Sequence, residues 1–365
     1  MPWNEPLIAL TIRQMRAAVI ADINTVEIAT VEDPVPGSGQ VVVKVAACGL
    51  CGTDLHIMQG EFAPKLPIIP GHEFAGVVSA VGAGVTGIGS APPLREGDRV
   101  AVDPSLYCHE CHYCRIGHDN LCEQWGGIGV TVSGGAAEYV AVPAANCVRL
   151  PEHVATEDAT LIEPLSCAVR GHDVLRSHLG AHVLIYGAGT MGLMMLELAK
   201  RTGAVSVDVL ELNPDRRRLA HELGASQVAE SADEIARPYG WEVVVDATGN
   251  ARAIQDGLER VGPAGTYLQF GVADYATRVT IDPYRIYNKE ITITGSMAVL
   301  HSYERAAELF ASGVLDPRTF ITDRMPLTDY AAAIDRFSSG TGLKIQVLPS
   351  GGQAPPDPPT RAAPA

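Results

Sequence analysis

The first half of the chain alternates short runs of strand-forming residues with clusters of glycine and proline. Apolar runs recur at residues 40–45, 74–81, 98–102 and 138–142, and turn-forming residues separate them at 36–39, 82–84 and 95–98. Short strands at such spacing are typical of small all-β barrels. Residues from Met15 to about Leu150 are therefore predicted to form a β-rich unit.

Beyond about residue 170 the pattern changes to strands that alternate with helices. Apolar runs suited to buried strands occur at residues 183–186, 207–210, 242–246, 265–271 and 290–294, and helical patterns at 190–201, 214–223 and 251–260. Because parallel neighbours need a crossover helix, this alternation predicts a doubly wound parallel sheet. The last of these strands ends near Thr294, and its uncovered edge could pair across a dimer.

The remaining elements are expected to return to the β-rich unit, which makes the parallel sheet an insertion. They are helices at residues 302–312 and 328–337 and a strand at 344–348. The predicted organisation is an N-terminal extension at 1–14, the β-rich unit at 15–170, the parallel sheet at 171–300, the return at 301–349 and a tail at 350–365. The tail is rich in proline, alanine and glycine, and we expect it to be disordered.

Composition excludes several functional classes. Hydrophobic residues make up 47% and charged residues 19% of the 365 residues, as in globular proteins with more than one core. The formal net charge of −15 argues against a nucleic-acid surface, which needs clustered lysine and arginine. No apolar run reaches the roughly 20 residues that span a bilayer, and residues 6–12 lack the basic start of a signal peptide. We therefore expect a cytoplasmic protein with neither a nucleic-acid nor a membrane partner.

Cysteine is concentrated in one part of the sequence. Of the eight cysteines, four follow the spacing C-x2-C-x2-C-x7-C, namely Cys108, Cys111, Cys114 and Cys122. Four thiolates on short loops can surround zinc tetrahedrally, so this stretch predicts a structural zinc lobe that holds a loop without touching substrate. A redox pair needs only two of the thiols, and a disulfide framework does not suit a reducing compartment.

A second group of candidate ligands is formed by Cys51, His72 and Glu73. Zinc accepts a mixed set of thiolate, imidazole and carboxylate, and three protein ligands leave a fourth position for water or substrate. Taken singly, Cys51 is as readily a small buried hydrophobe and His72 a core histidine. Glu163, which precedes a proline at a predicted helix start, is either a partner of the helix dipole or a group at the metal.

The stretch after the first parallel strand indicates a dinucleotide site. Gly187, Gly189 and Gly192 form the pattern G-x-G-x-x-G, and Thr190 and Met191 open the following helix. Glycines at these positions let the backbone and the helix N-terminus come close to a pyrophosphate. The motif gains weight from its position between a predicted strand and a predicted helix.

An acidic residue at the end of the second parallel strand favours NAD. Glu211 stands where a carboxylate accepts hydrogen bonds from ribose hydroxyls and repels a 2′-phosphate. Arg216, Arg217 and Arg218 follow closely and keep NADP as the alternative cofactor. Their more ordinary role is a solvated helix face.

With these motifs in this order, the chain resembles the zinc-dependent medium-chain dehydrogenases over about Met15 to Pro349. Glu163 and Pro164 stand at the third ligand position, where ordinary alcohol dehydrogenases carry cysteine, so the chain is most similar to the sorbitol and polyol branch. The resemblance implies an α/β plus β fold, with a GroES-like β-rich catalytic domain and an inserted Rossmann doubly wound sheet. It also implies one catalytic and one structural Zn²⁺, NAD, and a homodimer or homotetramer.

The resemblance assigns roles to residues of the catalytic domain. It implies that Cys51, His72 and either Glu73 or Glu163 hold the catalytic zinc, with the second glutamate acting directly or through water. Asp54 matches the residue that orients the ligand histidine. The four cysteines of the lobe match the structural zinc ligands.

Further positions match the proton relay or match no ligand at all. Thr53 and His56 match residues that carry the proton from the alcohol to solvent. Cys48, Cys147 and Cys167 match no ligand position and are expected to be packing residues.

Two departures from the polyol branch bear on the substrate. Residues 295–299 read Gly-Ser-Met-Ala-Val where many polyol enzymes carry an arginine, and Arg170 stands where histidine is frequent. The expected function is NAD-linked oxidation of a secondary alcohol with neighbouring hydroxyls, a linear polyol being less favoured. The alternatives are an amino-alcohol substrate such as threonine, or a dinucleotide-binding protein without catalysis.

Overall fold

The structure is a computed structural model that describes residues 13–61, 65–87, 91–175 and 179–349. The predicted extension lies outside these residues except for Arg13 and Gln14, and the predicted tail lies outside them entirely. The first element is an antiparallel hairpin of β1 (Gln14–Asp22) and β2 (Thr25–Glu32).

The β-rich unit follows the hairpin, with strands short enough to match the turn chemistry between them. Its elements are β3 (Gln40–Gly49), α1 (Gly52–Met58), β4 (Glu73–Val81), β5 (Arg99–Val102), β6 (Ser105–Leu106), α2 (His112–Arg115), β7 (Gly126–Gly127), β8 (Tyr139–Pro143) and β9 (Cys147–Arg149). Val41, Val43 and Val45 on β3 are fully buried and belong to the core of this unit.

A long helix then leads into the parallel sheet. The elements are α3 (Ile162–Val174), β10 (His182–Tyr186), α4 (Thr190–Arg201), β11 (Ser206–Leu210), α5 (Pro214–Glu222), β12 (Gln227–Ala229), β13 (Trp241–Asp246), α6 (Ala251–Arg260), β14 (Val261–Gln269), α7 (Pro283–Lys289) and β15 (Thr292–Gly295). The strands lie in the order β12-β11-β10-β13-β14-β15, and every neighbouring pair is parallel. The order reverses beside β10, and open sheets of this kind bind ligands at the carboxyl ends of their strands at such a point.

The chain then returns to the first sheet, as predicted. The final elements are α8 (Tyr303–Ala311), α9 (Pro317–Phe320), β16 (Ile321–Pro326), α10 (Tyr330–Ser338) and β17 (Lys344–Leu348). β17 pairs antiparallel with β3, where Val347 lies opposite Cys48. Within the described residues this sheet runs β16-β17-β3-β4-β5-β9, with β8 also on β3. The GroES-like fold with an inserted parallel sheet is thus confirmed, whereas β16 and α7 were not predicted.

Helix α3 connects the two units and fixes one side of the site. Ile162 and Leu165 are fully buried in the core that also contains Leu193 of α4 and Phe310 of α8. The predicted domain boundary at residue 170 falls inside α3. This boundary and the other domain limits stay predictions. In the portion of the chain that the structure describes, no helix has both the length and the apolar character needed to cross a membrane.

Candidate active site

The structure brings the four cysteines of the predicted lobe together. The sulfur atoms of Cys108, Cys111, Cys114 and Cys122 all lie within 4.8 Å of one another. Backbone N–H groups point at them, since Cys111 N donates to Cys108 Sγ at 3.3 Å and Cys108 N to Cys122 Sγ at 3.4 Å. Hydrogen bonds from the backbone amides of Cys114 and Glu123 lower the pKa of Cys111 to about 6, which favours a thiolate. The geometry fits a four-thiolate zinc site.

A second cluster forms where β4 begins beside α1. Ligand atoms of Cys51, His72 and Glu73 lie within 4.8 Å of one another, and His72 and Glu73 are buried. Cys51 is the N-cap residue of α1 and has an extended backbone, and its sulfur lies within hydrogen-bonding reach of His72. Three different donor types at one point are the set predicted for the catalytic metal.

Two buried polar atoms beside His72 face each other without a hydrogen bond. Asp54 Oδ2 accepts a hydrogen bond from Cys51 N at 2.9 Å, while Asp54 Oδ1 lies 3.8 Å from His72 Nδ1 and neither of these two atoms has a hydrogen bond. Burial alone would lower the pKa of His72, but the Cys51 sulfur and the Asp54 carboxylate outweigh it and hold the pKa well above its usual value. The cluster therefore favours positive charge, and a cation on the ring would leave Nδ1–H directed at Asp54.

Lys344 is a member of the site that the sequence analysis missed. Its Nζ lies 2.6 Å from both carboxylate oxygens of Glu73 and donates to Leu50 O at 3.0 Å, and its residue is only 3% exposed. A lysine inside the apolar strand β17 was the available signal, because a buried ammonium needs an anionic partner. Glu73 thus already has a cation.

Glu163 has no comparable partner. It is 8% exposed, its Oε1 lies 3.7 Å from Cys167 Sγ, and no lysine or arginine of the described chain forms an ion pair with it. Burial raises the pKa of Glu163 to about 7, against the lowering effect of His72. The short distance from Glu73 to Cys51 and His72 favours Glu73 as the carboxylate ligand. The ion pair of Glu73 with Lys344 favours Glu163 instead, because Glu163 has no such partner among the described residues. Cys167 packs against the core, as predicted, and its sulfur also contacts this carboxylate.

The two predicted relay residues lie on α1, beside Cys51. Thr53 Oγ1 is 3.8 Å from Cys51 Sγ. His56 Nδ1 lies 2.7 Å from Glu61 Oε2, and its side chain is 28% exposed. One residue is therefore close to the candidate ligand and the other reaches the surface.

The glycine turn has the geometry that its motif predicts. Gly187 has φ 94°, a left-handed value that favours glycine, and Gly189 is the N-cap of α4, with Thr190 and Met191 in its first turn. A Cβ at Gly192 would lie only 1.9 Å from Gly187 O, so this glycine lets helix and turn pack closely. The N–H groups at the start of α4 are thereby left facing the carboxyl edge of the sheet.

Glu211 reaches back to this turn. Its Oε2 accepts from Ala188 N at 2.8 Å and its Oε1 from Asn213 N at 2.9 Å. Two exposed apolar side chains, Leu212 and Val272, follow β11 and β14. Exposed apolar residues at the carboxyl ends of parallel strands can cover the faces of a bound ring.

The three arginines behind Glu211 are engaged with protein groups. Arg216 donates to Gly340 O at 2.6 Å and to Gly342 O at 2.9 Å. Arg217 donates to Glu211 O and pairs with Glu230, and Arg218 pairs with Asp215 at 2.9 Å. A contact between Arg216 and the cofactor stays a prediction.

Comparison with known proteins places this geometry in a family. The description "Alcohol dehydrogenase GroES-like domain" matches residues 37–152, and "Zinc-binding dehydrogenase" matches residues 190–312. The two matches fall on the β-rich unit and on the parallel sheet.

Full-length relatives agree with these matches. D-arabinitol dehydrogenase 1 of Uromyces fabae is 37% identical over 328 residues, which cover 87% of this chain and 92% of that protein. L-threonine 3-dehydrogenase of Pyrococcus horikoshii is 36% identical over 336 residues, which cover 87% and 94%. The crystal structure of a zinc-binding dehydrogenase from Sinorhizobium meliloti bound to NADP has a TM-score of 0.87 and 31% identity, covering 92% of this chain and 100% of that one. The chain belongs to the zinc-dependent medium-chain dehydrogenases, in the branch of the sorbitol and polyol dehydrogenases.

Proposed function

We propose that this protein oxidises a secondary alcohol with neighbouring hydroxyls, of the polyol class, to the ketone with NAD as hydride acceptor. The observation that carries the proposal is the buried cluster of Cys51, His72 and Glu73, completed by an unpaired Glu163. Glu163 lies on α3, and α3 packs against α4, the helix that opens at the glycine turn. The metal cluster and the dinucleotide turn are therefore supported by adjoining helices.

The chemistry divides between the bound groups and the chain. When bound, zinc supplies Lewis acidity toward the substrate hydroxyl and the nicotinamide supplies the hydride acceptor. Overall the alcohol loses a hydride from carbon to the nicotinamide and a proton from oxygen to solvent, and the carbon–oxygen bond becomes a carbonyl. Cys51 and His72 would hold the metal, and Asp54 would keep the histidine ring in orientation.

The proton leaves along α1 in this proposal. Thr53 lies beside the Cys51 sulfur, where its hydroxyl can accept the alcohol proton as it passes its own onward. His56, partly exposed and 2.7 Å from Glu61, can deliver that proton to water. Glu163 would complete the metal set directly or through a water molecule, since its buried charge otherwise has no cation.

Relatives support two substrate classes. D-arabinitol dehydrogenase 1 supports a sugar alcohol, and L-threonine 3-dehydrogenase supports an amino alcohol at nearly the same identity. We place the polyol first because Glu163 and Pro164 match that branch. NAD is proposed over NADP because Glu211 would oppose a 2′-phosphate and the nearby arginines are engaged elsewhere.

The test combines metal analysis with a substrate screen. Zinc per chain is measured on purified protein, and NADH absorbance is followed with D-arabinitol, sorbitol, xylitol, 2,3-butanediol and L-threonine. Wild type should hold two zinc ions and reduce NAD with a polyol, and Cys51→Ser should lose one zinc and the activity. Undiminished turnover by metal-free Cys51→Ser would overturn the metal-dependent mechanism, and turnover with threonine alone would replace the substrate class.

We also propose a homo-oligomer in a reducing, cytoplasmic setting. β15 is the edge of the parallel sheet, Ile293 on it is 44% exposed, and Tyr284 and Tyr287 on the adjacent α7 are exposed. A sheet edge with free backbone hydrogen-bonding groups and an exposed isoleucine favours pairing with a second copy. All eight cysteines are free. Light scattering should give a dimer or tetramer, and Ile293→Lys should shift it to monomer; a monomeric wild type would overturn the proposal.

A further inference from the structure

The four-cysteine lobe contacts a connecting segment of the chain that lies far from it in sequence. We call residues 296–301 the crossing segment, because they lead from β15 of the parallel sheet to α8 of the returning chain. The lobe is predicted to hold a loop without touching substrate, and in the structure it contacts this segment.

Two hydrogen bonds connect the lobe to the backbone of the crossing segment. Tyr107, just before the first lobe cysteine, donates its hydroxyl to Val299 O at 2.8 Å. Asn120, two residues before the last lobe cysteine, donates its amide to Met297 O at 3.0 Å. Asn120 is 4% exposed, so its bond is shielded from water.

A close approach between Asp119 and His301 adds a third contact. Asp119 Oδ2 lies 3.2 Å from His301 Nε2, and Asp119 Oδ1 lies 3.6 Å from His109 Nδ1. Asp119 is buried, whereas both histidine side chains are mostly exposed. The lobe thus contacts every second residue of the crossing segment, at Met297, Val299 and His301.

The crossing segment has backbone conformations that its residue types disfavour. Ala298 has φ 46° and His301 has φ 50°, both in the left-handed region that disfavours residues with a Cβ. Such conformations persist when surrounding contacts over-determine them. The contacts from Tyr107 and Asn120 fall on the residues that flank Ala298.

The crossing segment borders both halves of the proposed site. Ser296 N donates to Gln269 O at 3.2 Å, at the carboxyl end of β14 where the dinucleotide is expected. Val299 is 2% exposed and lies in the same core cluster as Leu165, two residues beyond Glu163. Met297, between them, presents a side chain that is 42% exposed. A change in this backbone would therefore move a wall between the sheet edge and α3.

We propose that Tyr107 and Asn120 are positioning residues, through which the four-cysteine lobe sets the shape of the crossing segment and hence the affinity for the dinucleotide. The inference rests on the proposed function for its consequence in catalysis, but the contacts do not depend on turnover.

The test uses two minimal changes and one control in the zinc-loaded protein. Tyr107→Phe removes one hydroxyl, and Asn120→Asp replaces the amide donor by an isosteric acceptor that repels Met297 O. Tyr113→Phe is the control, since Tyr113 is a 39% exposed tyrosine of the same lobe whose ring packs edge-on against His112. Circular dichroism and zinc content establish that each variant is folded.

Two measurements decide the matter without turnover. Hydrogen exchange of peptides covering residues 296–301 should speed up about fivefold in Tyr107→Phe, as expected for loss of one hydrogen bond, and more in Asn120→Asp, with β10 and β13 unchanged. The Kd of NADH, followed by its fluorescence, should rise in the same order, and Tyr113→Phe should match wild type. Unchanged exchange and NADH affinity in both variants would overturn the inference. Normal NADH binding without oxidation of any alcohol would instead overturn the proposed function.

Discussion

The buried ion pair of Glu73 and Lys344 makes the sharpest prediction about stability. In Lys344→Met the ammonium is replaced by an apolar side chain of similar length. Glu73, fully buried, then loses the donor that lies 2.6 Å from both of its oxygens. Leu50 O loses its 3.0 Å hydrogen bond at the same time.

The magnitude follows from burial. Removing one partner of a buried pair costs about 3–5 kcal/mol because an uncompensated charge remains, whereas removing both partners is often nearly neutral. A loss of that size would lower Tm by roughly 10 °C in a protein of this kind. Glu73→Met combined with Lys344→Met should therefore recover most of the stability that Lys344→Met loses.

The assay is urea unfolding of wild type, Lys344→Met, Glu73→Met and the double variant, with and without added zinc. Lys200→Met is the matched control, because Lys200 is more exposed and its partner Glu197, 3.4 Å away, also pairs with Arg201. Glu197 thus keeps a cation, and the loss of stability should stay below about 1 kcal/mol. Added zinc should reduce the loss in Lys344→Met, since Glu73 then has another cation nearby. A loss no larger than that of Lys200→Met, or strictly additive effects in the double variant, would refute the reasoning.

Three further predictions follow from other parts of the structure. Burial lowers the pKa of His172, so the folded state resists protonation and the free energy of unfolding falls as pH drops below the ordinary pKa near 6.5. The free energy of unfolding of His172→Leu, relative to wild type, should therefore be roughly 1 kcal/mol higher at pH 5.5 than at pH 7.5 in urea unfolding. An equal difference between variant and wild type at the two pH values would contradict this. Gly189→Ala meets open space and should keep its Tm while weakening NADH binding about tenfold or more by blocking the pyrophosphate. Gly192→Ala, by contrast, should lower Tm in addition to weakening NADH binding, because its Cβ would meet Gly187 O. Similar Tm values for Gly189→Ala and Gly192→Ala would count against the close-packing argument. Glu211→Ser should raise the ratio of NADP to NAD efficiency about tenfold, measured as kcat/KM with each cofactor, and an unchanged ratio would remove Glu211 from cofactor choice.

Much of the site could be predicted because its signals are local in sequence. The glycine turn is read within six residues, and the strand before it and the helix after it are visible in the hydrophobic pattern. The four lobe cysteines lie within a stretch of fifteen residues, so their spacing alone predicts a shared metal. The overall fold followed from the change of period between the two halves of the chain.

The parts that escaped prediction depend on contacts between distant residues. Lys344 meets Glu73 across 271 residues, and no local pattern pairs them. Cys167 packs against the core as predicted, but its contact with Glu163, one turn away on α3, was not predicted. The two glutamates were indistinguishable as ligands until the structure gave one of them an ammonium partner. Tyr107 and Asn120 carry no motif, because their partners are backbone carbonyls.

The pairing of β17 with β3 has a consequence for biosynthesis. β3 leaves the ribosome long before β17, whereas every strand of the parallel sheet is made in between. The inserted sheet can therefore complete its hydrogen bonds while the surrounding sheet still lacks a central strand. During that interval the Glu73 carboxylate lacks its ammonium partner, because Lys344 reaches it only when the last strand docks on β3.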